Sequence, residues 1–211
     1  MNDPLIVVEP FQEATQQREA ARLGMWVFLA TEVLLFGGLF MSILVYRVSY
    51  GPALQIATEH LDPWLGGFNT ALLLTSSLTM SLSVLAAREG KPRATCSWLW
   101  LTVTLGIAFL GVKAYEYHEE YLEGLMPGIG PDFPLPKPAE QLFFNVYYAS
   151  TGLHAFHLAC GVVSVSIFAF LVARQRSLRL PERAIRVELL GMYWHLVDMV
   201  WVFLFTALYL L

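Results

Sequence analysis

Glu32, Asn69, Glu116, His154, His157, Glu188, His195 and Asp198 are polar residues set in strongly apolar surroundings. An ionisable group in hydrocarbon costs several kcal/mol and faces a partner or a cavity, so these positions mark where chemistry can occur. Glu32 lies in Thr31-Glu32-Val33-Leu34-Leu35-Phe36 and Asn69 precedes Thr70. Glu116 lies in Ala114-Tyr115-Glu116-Tyr117, and the two neighbouring histidines in Thr151-Gly152-Leu153-His154-Ala155-Phe156-His157. Glu188 comes before Tyr193-Trp194-His195-Leu196-Val197-Asp198. Histidine is the commonest metal ligand, and bundle cores are where haem and metal sites are built, so a facing pair would make a redox centre. Glu32, isolated among Leu29, Val33 and Phe36, is a candidate proton carrier. For each residue the competing role is an interhelical hydrogen bond, worth about 0.6 kcal/mol on average in membranes.

Helical spacing sorts these residues. His154 and His157 are three apart, as are His195 and Asp198, so each pair shares a face. With a rise of about 1.5 Å per residue, Glu32 and His195 both fall roughly 5 Å to the inner side of mid-helix. His157 and Asp198 come within roughly 5 Å in depth, while Glu116 and His154 lie toward the outer side. His154 sits roughly 13 Å above His195, which leaves His157 with His195 as the one plausible haem pair. His118 and His60 are too shallow to join them. Asp198 is expected to hydrogen-bond His195 or His157, because a buried carboxylate without a partner is costly.

The elements that must carry these residues follow from composition. The chain has 211 residues, 56% apolar and 14% charged, against roughly 25% charged in an average globular protein. That excludes a soluble domain, and the 29 aromatic residues exclude disorder. A net charge of −4 excludes a basic nucleic-acid binder. Five stretches reach the roughly 20 apolar residues that a membrane-spanning helix needs: 24–46, 64–87, 97–115, 149–173 and 189–211. The expected fold is therefore all-α, one integral membrane bundle over 24–211 after a polar segment, 1–23, that reads as no cleavable signal. Lys and Arg number ten in the N-terminal segment and the second and fourth loops, against three in the first and third. This bias predicts a cytoplasmic N-terminus and an outside C-terminus.

The Pro- and Gly-rich stretch Gly124 to Pro138 is expected to be an irregular outer loop. Glu116, Glu119, Glu120 and Glu123 lead into it as a solvated acidic helix end or a docking surface for a basic electron carrier. Cys96, at the start of the third span, and Cys160, inside the fourth, form no CxxC pair and are expected to be packing residues. Gly37, Gly38, Gly66, Gly67, Gly106, Gly111, Gly152 and Gly161 offer helix faces on which a neighbouring subunit can approach closely.

One motif on each of the five stretches, taken in order, resembles subunit III of the haem-copper terminal oxidases. They are Met25-Trp26-Val27-Phe28-Leu29-Ala30-Thr31-Glu32 with Phe36 and Phe40, Asn69-Thr70, Tyr115-Glu116-Tyr117, Thr151-Gly152-Leu153-His154 with His157, and Glu188 before Tyr193-Trp194-His195-Leu196-Val197-Asp198 with Trp201. The resemblance spans about Gly24 to Leu211. It implies a multi-pass protein of the bacterial inner membrane with no catalytic centre, haem or copper of its own, these being expected in partner subunits. It also implies direct packing against the catalytic subunit I, subunit II in the same complex and possible membership of a larger respiratory assembly. Phospholipid bound in a cleft, with support of proton uptake, assembly and turnover stability, belongs to the same expectation. Glu32 falls on the family's intramembrane glutamate. Many members have seven helices, and the two absent here precede the Glu32 helix. A quinol oxidase or nitric-oxide reductase component, or a stand-alone membrane haem or carrier protein, are the alternatives.

Overall fold

The computed structural model describes residues 13–58, 62–124, 138–174 and 180–210. Five α-helices account for almost all of them: α1 Ala14–Thr58, α2 Pro63–Arg88, α3 Pro92–Leu122, α4 Pro138–Arg174 and α5 Leu180–Phe205. A π-helical turn, Thr206–Leu210, closes α5. Each α-helix contains a stretch long and apolar enough to cross a membrane. His60, and residues 125–137 of the Pro- and Gly-rich stretch, lie outside the described residues.

The helices overrun the apolar stretches because their ends are set by capping chemistry rather than by hydropathy. The Asp62 side chain accepts from the Trp64 backbone N–H at 2.8 Å, and Pro63 occupies the first helical position of α2. At the other end Gly90 adopts φ 69°, and the Lys91 N–H donates to the Ala86 carbonyl at 2.9 Å, a Schellman stop. Pro92 then restarts the chain at once as α3, so Cys96 lies a turn inside that helix rather than at its start. Gly124, with φ 74°, terminates α3 only after Leu122. Glu116, expected to close the third helix, is thereby well inside it.

Helices α2, α3, α4 and α5 close into a ring, each packed on its two neighbours, and α1 lies outside against α4 and α5. The ring core is aromatic: Trp194, Trp201, Phe109, Phe144 and Tyr147 are fully buried. Phe109 meets Trp201 edge-on at 4.8 Å between ring centres. Gly106 and Gly161, expected to admit a neighbouring subunit, instead admit the Trp194 indole of this chain. A Cβ on Gly106 would stand 2.9 Å from Trp194 Cη2, and one on Gly161 would stand 3.3 Å from Trp194 Cζ3. Gly66 seats Phe205 in the same way. Gly37, Gly38 and Gly111 face open space. Cys160, expected to pack, is exposed, whereas Cys96 Sγ approaches the Ala169 carbonyl at 3.7 Å.

Polar side chains stitch neighbouring helices together where lipid offers no competing partner. Thr79 and Thr102 join α2 to α3 at 2.8 Å, and Tyr117 and Thr151 join α3 to α4 at 2.6 Å. The Trp194 indole N–H donates to Ser76 Oγ at 3.0 Å, the Trp201 indole N–H to Thr70 Oγ1 at 3.1 Å, and the Tyr193 hydroxyl to the His157 carbonyl at 2.9 Å. At the end bearing the N-terminus, Glu188 of α5 accepts from Arg22 of α1 at 2.9 Å and from Arg88 of α2 at 2.8 Å.

Candidate functional site

Two intramembrane clusters carry most of the chemistry. The first joins α1 to α4. Nε2 of His157 lies 3.0 Å from Oε2 of Glu32, and both side chains are 13% exposed. The Phe36 ring, one helical turn beyond Glu32, meets the imidazole edge-on at 5.3 Å. The other ring nitrogen, Nδ1, is 2.8 Å from the Leu153 carbonyl. A carbonyl can only accept, so Nδ1 carries a proton. Nε2 and Glu32 Oε2 stand at ion-pair distance but without hydrogen-bond geometry, which leaves Oε2 without a hydrogen-bond partner among the described residues. Glu32 was expected to find His195 at its depth; the helix order gives it His157 instead, because α1 lies in the seam of α4 and α5.

The second cluster gathers on Glu116, as its polar character in an apolar setting suggested, but its other members were not expected there. Lys113 of α3 is 2% exposed, Glu116 5% and Glu120 4%. The Lys113 ammonium donates to Glu116 Oε2 at 2.9 Å and to the hydroxyls of Tyr147 and Tyr209 at 2.8 Å each. Tyr147 in turn donates to Glu120 Oε1 at 2.7 Å, Tyr148 donates to Glu120 Oε2 at 2.6 Å, and Tyr209 donates to Glu116 Oε1. All three ammonium hydrogens and all three phenol hydrogens are thus used, and each carboxylate oxygen accepts at least one. The acidic helix end expected from Glu116 to Glu123 therefore divides: Glu116 and Glu120 turn inward, while Glu119 and Glu123 are exposed. Lys113, counted among loop charges in the sequence, belongs to the core. The signal was present in the 3-4 spacing of Gly106, Phe109, Lys113, Glu116 and Glu120, which puts all five on one helix face.

The remaining residues sit apart from these clusters. His154 is fully buried between the rings of Phe109 and Trp201, at 5.7 and 5.2 Å. His195 is held on α2, with Ser77 Oγ 2.6 Å from Nδ1 and Ser81 Oγ 3.3 Å from Nε2. His157 and His195, the pair considered for a haem, are accordingly turned to different helices. Asp198, expected on one of those histidines, bonds neither; Ser77 is the polar side chain beside it. Among the described residues Glu32 Oε2, Arg47 Nε and Nη2 and the side-chain polar atoms of Asn69, His154 and Asp198 are buried without a hydrogen-bond partner. Glu188 belongs to the Arg22 and Arg88 clamp.

Comparison with known proteins fits this arrangement. The family model described as cytochrome c oxidase subunit III matches residues 11–211. A cytochrome c oxidase subunit 3 of Alkalihalophilus pseudofirmus is 34% identical over 202 residues, covering 95% of this chain and 91% of the relative. A probable quinol oxidase subunit 3 of Staphylococcus epidermidis is 32% identical over 197 residues, covering 93% and 92%. A probable quinol oxidase subunit 3 of Staphylococcus aureus is 30% identical over the same length. A match that runs nearly end to end and takes in both polar clusters settles the affiliation: this chain belongs to the cytochrome c oxidase subunit III family.

Proposed function

We propose that this multi-pass bacterial membrane protein serves a respiratory haem-copper oxidase as a subunit without a redox centre, sustaining proton uptake while partner subunits reduce oxygen. The haems and copper then reside in the catalytic subunit I, against which this chain packs, with subunit II in the same complex. Whether the donor is cytochrome c or quinol is set by those partners, and the relatives include subunits named for both. Phospholipid fills the space left beside α1. The positive-charge bias supports a cytoplasmic N-terminal end of the bundle.

The observation that carries this reading is the pairing of Glu32 with His157. A carboxyl and an imidazole 3.0 Å apart along the spans, with the imidazole held through Nδ1 by the Leu153 carbonyl, set two proton-carrying groups side by side without either side chain needing to move far. Glu32→Gln keeps the size of the side chain but removes its titration. In the assembled complex this variant is expected to show a normal initial rate of oxygen reduction, with slower proton uptake and a shorter lifetime over repeated turnovers. Unchanged proton uptake and lifetime from pH 6 to 9 would reduce Glu32 to packing, and loss of the chain from the complex would assign it to assembly.

A further inference from the structure

Asp198 is buried on α5, and neither of its carboxyl oxygens has a hydrogen-bond partner among the described residues. Ser77 of α2 is the polar side chain beside it. His195, one turn earlier on α5, reaches the same serine: its Nδ1 lies 2.6 Å from Ser77 Oγ, and its Nε2 lies 3.3 Å from Ser81 Oγ. Two contacts fix this register. The Trp194 indole N–H donates to Ser76 at 3.0 Å, and Gly191 lets α5 approach α2, since a Cβ there would stand 3.2 Å from Val84 Cγ2. Exposure rises along the series, from buried Asp198 through half-buried Ser77 and His195 to exposed Ser81.

Counting hydrogens gives this series a direction. Ser81 Oγ donates its one hydrogen to the Ser77 carbonyl at 3.1 Å, so toward His195 it can only accept, and Nε2 carries a proton. In a neutral ring Nδ1 is then bare and accepts from the Ser77 hydroxyl. That spends the Ser77 hydrogen, so toward Asp198 the hydroxyl can only accept, and a protonated carboxyl turned onto it is the donor that fits. Moving each hydrogen one place along gives the alternative state. The Asp198 O–H bond breaks as a new bond forms to Ser77 Oγ, the Ser77 hydrogen passes to Nδ1, and carboxylate and imidazolium result. Nε2 then releases its own proton to water beside Ser81. Charges in hydrocarbon are costly, so the neutral arrangement is the resting one.

We propose that Asp198 is a second proton-holding site of this chain, kept as a carboxylic acid and discharged through Ser77 and His195 toward Ser81. The site lies on the seam of α2 and α5, whereas Glu32 and His157 meet on the seam of α1 and α4, and it does not depend on that pair. Its use during oxygen reduction rests on the reading of the chain as an oxidase subunit; the relay itself does not. Other ionisable groups of the neighbouring helices are engaged elsewhere. Lys113 of α3 and His154 of α4 face Trp201, one turn beyond Asp198 and away from His195. From α1, Glu32 faces His157 and Arg22 is clamped to Glu188. What α2 brings to Asp198 and His195 is the hydroxyls of Ser77 and Ser81.

The test is stopped-flow infrared spectroscopy of the whole oxidase complex, its aspartate carboxyl carbons isotopically labelled, after a jump from neutral to alkaline buffer. A labelled carbonyl band of a protonated carboxyl is expected before the jump, lost after it, and missing from Asp198→Asn. Asp198→Glu, which keeps an acid but carries no label, removes the same band should the asparagine prevent assembly. Ser77→Ala and His195→Gln are expected to slow the loss of the band by at least about tenfold, since each removes a positioned proton carrier. Ser77→Thr, which retains the hydroxyl, is expected to keep the wild-type rate. If Ser77 and His195 only hold α2 to α5, removing them loosens the seam and leaves the rate unchanged or faster; that result overturns the inference. A wild-type complex in which no labelled band depends on Asp198, or in which that band survives the jump, overturns it as well. Glu32→Gln is expected to alter neither band nor rate, so failure of the Glu32 reading leaves this one standing. A loss slowed by Glu32→Gln as much as by Ser77→Ala would route the proton through the first pair and overturn the inference.

Discussion

Lys113→Met is expected to remove this subunit from the detergent-purified complex, or to lower its thermal stability by the equivalent of about 3–5 kcal/mol, the range for breaking a buried ion pair from one side. The loss is large because the ammonium serves three acceptors at once, Glu116, Tyr147 and Tyr209. Without it, two carboxyl groups remain together, without a cation, in a site that is nearly closed to water. Combining Lys113→Met with Glu116→Gln is expected to recover a substantial part of the loss, since Glu120 keeps its own donors from Tyr147 and Tyr148. Lys113→Met alone with unchanged subunit retention and melting temperature would show that the cluster contributes nothing to holding α3, α4 and the end of α5 together.

Trp194→Ala is expected to cost about 2–4 kcal/mol, somewhat below the 3–5 kcal/mol typical of a soluble core, because the alternative to packing here is lipid rather than water. What is lost is contact: the indole reaches over both Gly106 and Gly161 and donates to Ser76. Gly106→Ala is expected to destabilise by about 1–3 kcal/mol for the opposite reason, since the added methyl would stand 2.9 Å from both Trp194 Cη2 and Val162 Cγ2. The two sites touch, so the double variant should be more stable than the sum of the single losses predicts. A double-mutant cycle read by thermal unfolding of the complex measures this, and strict additivity would contradict the packing shown.

The sequence announces some of this arrangement and conceals the rest, for separable reasons. Five apolar runs suffice to find five helices, because hydrocarbon thickness sets their minimum length. The true ends lie beyond those runs, at Asp62, Gly90, Pro92 and Gly124, where caps and turns act on the backbone irrespective of hydropathy. Axial rise places Glu32 at the depth of His195, and His157 near that of Asp198, but says nothing of which helices adjoin or how each is rotated. Glu32 therefore could not be assigned to His157 in preference to His195, nor Asp198 separated from both histidines. Lys113 escaped for a different reason: it lies where a charged residue ordinarily marks the end of a span. Only its partners on α4 and α5 turn it into a core residue.

The position of α1 outside the ring also sets a timetable for biosynthesis. α1 docks on α4 and α5, which are made well after it: its clamp joins Arg22 to Glu188, 166 positions later in the chain. At roughly 5–20 residues per second, synthesis of that interval takes roughly 8–33 s. During that time the growing polypeptide contains Glu32 but not the helix pair that receives it. The newborn α1 must wait in the membrane with its carboxyl unmatched, and α4 must be inserted before His157 can relieve it. Chain termination before α4 would leave that helix without the surface on which it docks.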